Sequence, residues 1–184
     1  MIFLITVIIK IISIILIILK SQFRQNIKIT KQMSTRKKNR LLNELPTYTG
    51  QFKTKTHIQV IKYSLHDFTE KETDDIAEIQ SNITNDCVTW IRVSGMIDSD
   101  KIIELVKSFD LSMLDARRIL TAQYIMSVEE YDNNLLVIMP AVYNVDGKTE
   151  TEQIALIMGK NYIVTIHESN HPFFNHIYSV KSFR

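Results

Sequence analysis

Three strand-length runs separated by two tight-turn signals dominate the second half of this chain. The runs are Leu135–Val142, Glu152–Met158 and Asn161–His167. All three are rich in aliphatic and β-branched residues, as buried strands are. Asp146-Gly147 supplies the left-handed pair that a two-residue hairpin needs. Gly159-Lys160 marks a second hairpin. Pro140, inside the first run, predicts an edge strand or a bulge, because it has no N–H for a ladder. Two more strands are predicted upstream, His57–Tyr63 (HIQVIKY) and Cys87–Val93 (CVTWIRV), the latter ending before Gly95. The acidic stretch Leu65–Asn85 predicts short helices capped by Asp67 and Thr73. Ser99 predicts the cap of a helix whose Ile102, Ile103, Leu105, Val106 and Phe109 share one face. Ser112 predicts the cap of the next helix, through Met113, Leu114, Ile119 and Leu120. From Pro172 the pattern is helical again, with Phe173, Phe174, Ile177, Tyr178 and Val180. This order predicts an α/β fold: a mixed β-sheet flanked by helices on both faces, an α/β/α sandwich preceded by an apolar N-terminal segment.

Charge divides the chain in two. Residues 1–43 hold nine Lys or Arg and no Asp or Glu, whereas residues 44–184 hold thirteen basic against twenty acidic residues, a net charge of −7. The folded body is therefore acidic, and it lacks the clustered cations of a nucleic-acid footprint. Met1–Leu19 is nearly continuous in apolar residues and long enough to span a bilayer. Lys10 at its centre costs about 2.5–3.5 kcal/mol on insertion scales, which the flanking Ile and Leu residues offset. Lys20, Arg24, Lys28 and Lys31 follow, so the positive-inside rule would leave residues 44–184 in the cytoplasm. The competing reading is a misassigned start, with Met33 opening the protein proper. Both readings separate a leader, 1–43, from a body, 44–184. The single Cys87 cannot form an internal disulfide.

Enzyme chemistry has no visible carrier. A Gly-rich phosphate loop, a Gly-x-Ser-x-Gly elbow, a Cys-x-x-Cys pair and a His-Glu-x-x-His pair are all missing from the sequence. His167, His171 and His176 cluster near the end, and read as surface and helix-end histidines rather than ligands. Glu129, Glu130 and Asp132 read as a solvated strand entrance.

Four segments in order carry a resemblance: Tyr48-Thr49-Gly50 with HIQVIKYS and Asp67-Phe68; Thr89-Trp90-Ile91-Arg92-Val93-Ser94-Gly95; Val128-Glu129-Glu130-Tyr131-Asp132-Asn133 before LLVIM; and Glu150-Thr151-Glu152-Gln153-Ile154 with Leu156-Ile157-Met158-Gly159-Lys160-Asn161. Together they resemble the N-terminal cytoplasmic domain of CorA-type magnesium and cobalt transporters. The resemblance implies a regulatory or scaffolding domain on the cytoplasmic side of the cell (inner) membrane. It further implies a homopentamer, Mg²⁺ as transported or regulatory ion, and no organic cofactor. A stalk helix and pore helices with a Gly-Met-Asn signature would follow in such proteins, and this sequence ends before them. The alternative is a membrane-anchored α/β scaffold without transport. Regulatory carboxylates of the family align with Arg117 and Arg118, which cannot ligate a cation. Asp115, about one helical step away, is then the candidate metal ligand.

Overall fold

In the computed structural model, residues 45–63 and 68–174 are described, all within one unit that starts at Leu45. The leader, with its proposed span and Met33, lies outside the described residues. So do Asp67, His176, Ile177, Tyr178 and Val180.

The strands are β1 (His57–Tyr63), β2 (Phe68–Glu72), β3 (Val88–Ser94), β4 (Ser127–Glu130), β5 (Leu135–Val145), β6 (Lys148–Met158) and β7 (Tyr162–His167). The helices are α1 (Ile76–Ser81), α2 (Ser99–Ser108) and α3 (Met113–Leu120). The seven strands form one sheet in the order β2-β1-β3-β7-β6-β5-β4. β3 and β7 pair in parallel, and every other neighbouring pair is antiparallel. The sheet is thus mixed, as expected, and the Trp90 strand lies beside the closing hairpin.

Alternation along the strands separates two faces. Ile58, Val60, Ile91, Val93, Leu136, Ile138, Ala155, Ile157, Val164 and Ile166 join one apolar cluster with Ile79 of α1, Ile102, Leu105 and Val106 of α2, and Ala116, Ile119 and Leu120 of α3. The opposite face is also shielded: Ile61, Trp90, Val137 and Ile154 are all at most 5% exposed. Among the described residues, all three helices pack on the first face. Over the second face Phe174 meets the Trp90 ring edge-on, centroids 5.5 Å apart. The chain turns at Phe173–Phe174, and the remainder of the helix expected from Pro172 is outside the described residues.

Several local expectations need correction. Residues 68–72 form strand β2 rather than helix, paired antiparallel with β1. Its Thr69, Glu70, Lys71 and Glu72 are exposed; an outermost strand of charged residues carries no apolar alternation to announce it. Among the described residues the one helix in this acidic stretch is α1, capped by Asp75, whose side chain accepts from Ala77 N and Glu78 N. Asp98, not Ser99, caps α2, accepting from Lys101 N at 3.1 Å. Ser99 Oγ instead accepts from Tyr48 N at 2.9 Å. Leu114, on the helix expected after Ser112, lies in α3 as expected and is 53% exposed. Cys87 precedes β3 and rests against Thr84 Oγ1 at 3.2 Å.

The hairpin signals hold. Asp146 (φ 51) and Gly147 (φ 80) occupy the two left-handed turn positions between Val145 and Lys148. Pro140 sits in register opposite Gln153 without a bulge, just beyond Ile138, where the β4 pairing ends. From there on β5 is an edge, the arrangement a missing N–H tolerates.

Candidate functional site

Gln153 faces the helices while its neighbour Glu152 faces the second side of the sheet, so two polar centres lie back to back at the end of β6 and β7. On the helix side stands Glu168, completely buried. Its Oε2 accepts from the Tyr48 hydroxyl at 2.5 Å and its Oε1 from Gln153 N at 2.6 Å. The Gln153 amide donates to Ile119 O at 2.7 Å and Arg118 O at 3.1 Å, filling carbonyls that the last turn of α3 leaves open. Thr49 N donates to Leu120 O at 3.1 Å. A Cβ on Gly50 would lie 2.2 Å from Tyr48 Oη and 2.3 Å from Glu168 Oε2, so any larger residue there would have to push this hydrogen-bonded pair aside. Burial raises the Glu168 pKa, opposed by its two donors. Burial and the Glu168 carboxylate together hold the Tyr48 phenol protonated.

On the second face, Glu152 and His167 are both completely buried. His167 Nδ1 lies 3.9 Å from Glu152 Oε1, and neither imidazole nitrogen has a partner at full hydrogen-bond geometry, although the Ser169 backbone is close enough to pull the ring's pKa partly up. The Glu152 oxygens likewise have no partner at full hydrogen-bond geometry, although Ser169 is close enough to pull its pKa partly down. Burial, seconded by Glu168, still pushes Glu152 up to about 7. Burial, then the positive charge of Arg92, push His167 down to about 4, so its ring is neutral in neutral water. A neutral imidazole thus faces a carboxyl group close to half-protonated. Phe173 and Phe174 stand edge-on to the His167 ring, and His171 stacks on Tyr143 at 3.9 Å. His167 is therefore a core residue, not the surface histidine expected, and His171 is half-buried. This centre can hold or release a proton; it offers no activated nucleophile.

The residues singled out from the resemblance gather elsewhere, around α3. Asp115 closes a capping box: Ser112 N donates to its Oδ2 at 2.9 Å, Ser112 Oγ at 2.6 Å, and Ser112 Oγ accepts from Asp115 N. The Tyr131 hydroxyl donates to Asp115 Oδ1 at 2.7 Å. Burial would raise the Asp115 pKa, but the donors from Ser112 and Tyr131 outweigh it and the net shift is downward. Burial and Asp115 push the Tyr131 phenol up to about 12. Arg118 Nη2 pairs with Glu129 Oε1 at 3.0 Å and Nη1 lies 3.6 Å from Asp115. Arg117 is half-buried in the last turn. A regulatory Mg²⁺ does not fit this donor set, which offers two guanidinium groups and a carboxylate whose oxygens are already engaged. Among the described residues no group of three His, Cys, Asp or Glu is arranged to hold a metal. Glu130 and Asp132 are exposed, as expected of a strand entrance.

Replacing Asp115 with Ala should cost about 2 kcal/mol, from the lost cap and the Tyr131 hydroxyl left without its acceptor. Urea unfolding measures this, and a cost within error of zero would show that the capping box contributes nothing.

Sequence reasoning missed the Glu152–His167 pair, though a signal was present. Glu152 alternates with Ile154 and Leu156, and His167 with Ile163 and Thr165, so each shares a face with apolar neighbours.

A sequence model described as CorA-like Mg²⁺ transporter protein matches residues 85–180, just over half of the chain. The chain belongs to the CorA-like Mg²⁺ transporter protein family. The match begins just before β3 and runs through the last described residue. Over 124 residues the chain is 26% identical to the cobalt/magnesium transport protein CorA of Thermotoga maritima, covering 66% of this chain and 35% of that protein. It therefore spans about a third of the curated relative it matches. Among solved structures, the complete CorA magnesium transporter from Methanocaldococcus jannaschii aligns at 21% identity with a TM-score of 0.48, over 68% of this chain and 36% of that one. The full-length CmaX protein aligns at 12% identity with a TM-score of 0.50, over 68% and 37%. At such identities the likeness to CmaX concerns the fold alone. The four segments read from the sequence point to this same CorA-like family.

Proposed function

We propose that residues 44–184 are a scaffolding and regulatory domain, on the cytoplasmic side of the cell membrane, of a CorA-type magnesium or cobalt transporter. The family match over β3 to β7 carries this reading. Conduction belongs to membrane helices: among the described residues no helix is long and apolar enough to cross a bilayer. The working assembly is a homopentamer, by analogy with the family, and its role is not enzymatic. The sheet, buried on both faces, gives each subunit a rigid body through which a change at a subunit boundary reaches the pore. The second expected flank of helices, over the Trp90 face, completes that body.

The α3 geometry favours scaffolding over metal sensing. Arg118 is held within its own chain by Glu129 and Asp115; a contact from these arginines, Arg117 and Arg118, to a neighbouring subunit's carboxylate would stand in for the usual Mg²⁺ bridge. Such a bridge would not dissolve when Mg²⁺ is withdrawn, so gating by Mg²⁺ would be weak.

A chimera tests the reading. The part of the Thermotoga maritima relative that matches this chain is exchanged for residues 45–174, and Mg²⁺ influx into vesicles is followed with a fluorescent indicator. Influx should persist and its inhibition by Mg²⁺ on the cytoplasmic side should fall. A chimera that reaches the membrane, fails to assemble and conducts nothing would reject the scaffold role. Independently, the thermal midpoint of the full chain should be the same in EDTA and in excess Mg²⁺. A rise would reveal a native-state site and overturn the loss of metal sensing.

A further inference from the structure

We propose that the cleft at the carboxyl end of the parallel β3–β7 pair binds a phosphorylated small molecule of nucleotide size. The cleft has a volume of about 720 Å³, in the range of small-ligand sites. Arg92 and Ser94 at the end of β3, His57 and Gln59 of β1, and Asn170, three residues past the end of β7, line it. In open α/β sheets ligands gather at the carboxyl ends of parallel strands, because the chain leaves the sheet there and opens a crevice.

The lining decides the ligand. None of its side chains is aliphatic or aromatic hydrocarbon: it consists of cations, hydroxyls, amides, His57 and a single carboxylate. An apolar ligand finds no hydrocarbon side chain there to pack on. Lys53, Lys55 and Arg92 contribute three positive charges. Lys53 and Lys55 are exposed and make no ion pair among the described residues. The one carboxylate, Asp74, is neutralised by Lys101 at 3.1 Å, and His57 is held by Glu72 at 3.1 Å. A body of net charge −7 thus concentrates three cations on one concavity, beside the hydroxyls of Thr54 and Ser94. Cations with hydroxyl donors are the set that phosphate oxygens require.

The segment carrying the lysines is fixed in place. Thr56 Oγ1 accepts from Asp98 N at 3.0 Å, and the carbonyls of Thr54 and Lys55 press against Gly95 so closely that a Cβ there would lie within 2.5 Å of both. A preformed cationic wall binds without a large ordering cost. This inference is independent of the transport role and stands or falls by itself.

Equilibrium binding to the full chain tests it with four probes: ATP without Mg²⁺, ADP, inorganic phosphate, and phosphatidylcholine vesicles with or without a phosphoinositide. The nucleotides should bind more tightly than phosphate alone and weaken as salt rises. The double variant Lys53→Ser with Lys55→Ser, and separately Arg92→Gln, should each reduce affinity about tenfold or more. Binding of the nucleotides identifies a free ligand; binding of phosphoinositide vesicles alone identifies a lipid headgroup with the same chemistry. The basic leader is the internal control. Binding that survives all three substitutions belongs to the leader and overturns the proposal, as does no binding by any probe. The lysines are exposed, so their replacement leaves the fold intact, which the thermal midpoint verifies.

Discussion

At pH 8, Glu152→Gln should make the protein more stable than wild type by up to about 3 kcal/mol, and at pH 4.5 the two should be nearly equal. Glu152 has its pKa raised from 4.5 to about 7 by burial. The stability associated with its proton is fully present below the unfolded value and is lost as pH rises through the folded value. A displacement of that size corresponds to about 3 kcal/mol. Gln carries no charge to desolvate, so the loss disappears. His167 acts with the opposite sign. Its pKa falls from 6.5 to about 4 through burial and Arg92, so its stability is present above the unfolded value and lost as pH falls through the folded one. Between them the pair confines greatest stability to the weakly acidic range, about pH 5 to 6. The charged groups coupled to the pair are Arg92, Glu168 and His171. The two slopes nearly cancel in the wild type between about pH 4.5 and pH 6.5, so urea unfolding of Glu152→Gln beside wild type at a series of pH values isolates the carboxyl limb. A Glu152→Gln protein whose advantage over wild type does not grow between pH 4.5 and pH 8 would show that the carboxyl group titrates as an ordinary surface acid.

Gly95→Ala should be the most damaging single-methyl addition in the described body. Gly95 has φ +79, and a Cβ would lie 2.4 Å from Thr54 O and 2.5 Å from Lys55 O. These are backbone atoms, so no side chain can swing aside. Gly95 N donates to His167 O at 2.9 Å, which ties the turn to the end of β7. A left-handed alanine costs about 1–2 kcal/mol, and forced overpacking typically adds about 1–3 kcal/mol. The expected loss is about 3 kcal/mol, on the order of a 10 °C fall in the thermal midpoint for a body of this size. Gly147→Ala is the comparison: its φ is +80 but nothing lies within 4 Å of the added carbon. It should cost only the backbone portion, and equal losses in the two variants would contradict the close approach at Gly95.

How far the fold could be read depended on whether the signal was local. The hairpins at Asp146-Gly147 and Gly159-Lys160, the strand ending at Gly95 and the Ser112 cap are spelled by adjacent residues, and the structure places them as expected. β2 was not legible because its Thr69-Glu70-Lys71-Glu72 sequence is extended only by pairing with β1, and nothing in its own side chains asks for that. The Ser99 cap failed by one residue, since Asp98 competes for the same N–H groups. The Glu152–His167 pair was hidden for another reason. Alternation places both on the sheet's second face, but whether a polar residue there is solvated or buried depends on what lies over that face. Asp115 shows the converse: the resemblance drew attention to it, and only the geometry reveals that its oxygens are already used by Ser112 and Tyr131.

β5 and β6 each run eleven residues, yet β4 flanks only the first four residues of β5 and β7 only the last five of β6. From Pro140 to Gln153 the hairpin therefore leaves the sheet as a ribbon paired only with itself. Amide protons along β6 should accordingly exchange with solvent at rates falling steeply from Lys148 toward Ile157, by fraying at the tip and by global opening at the base. Glu152 sits at the junction, so a single continuous strand joins the most loosely held backbone of the hairpin to the buried carboxyl group whose proton sets its stability.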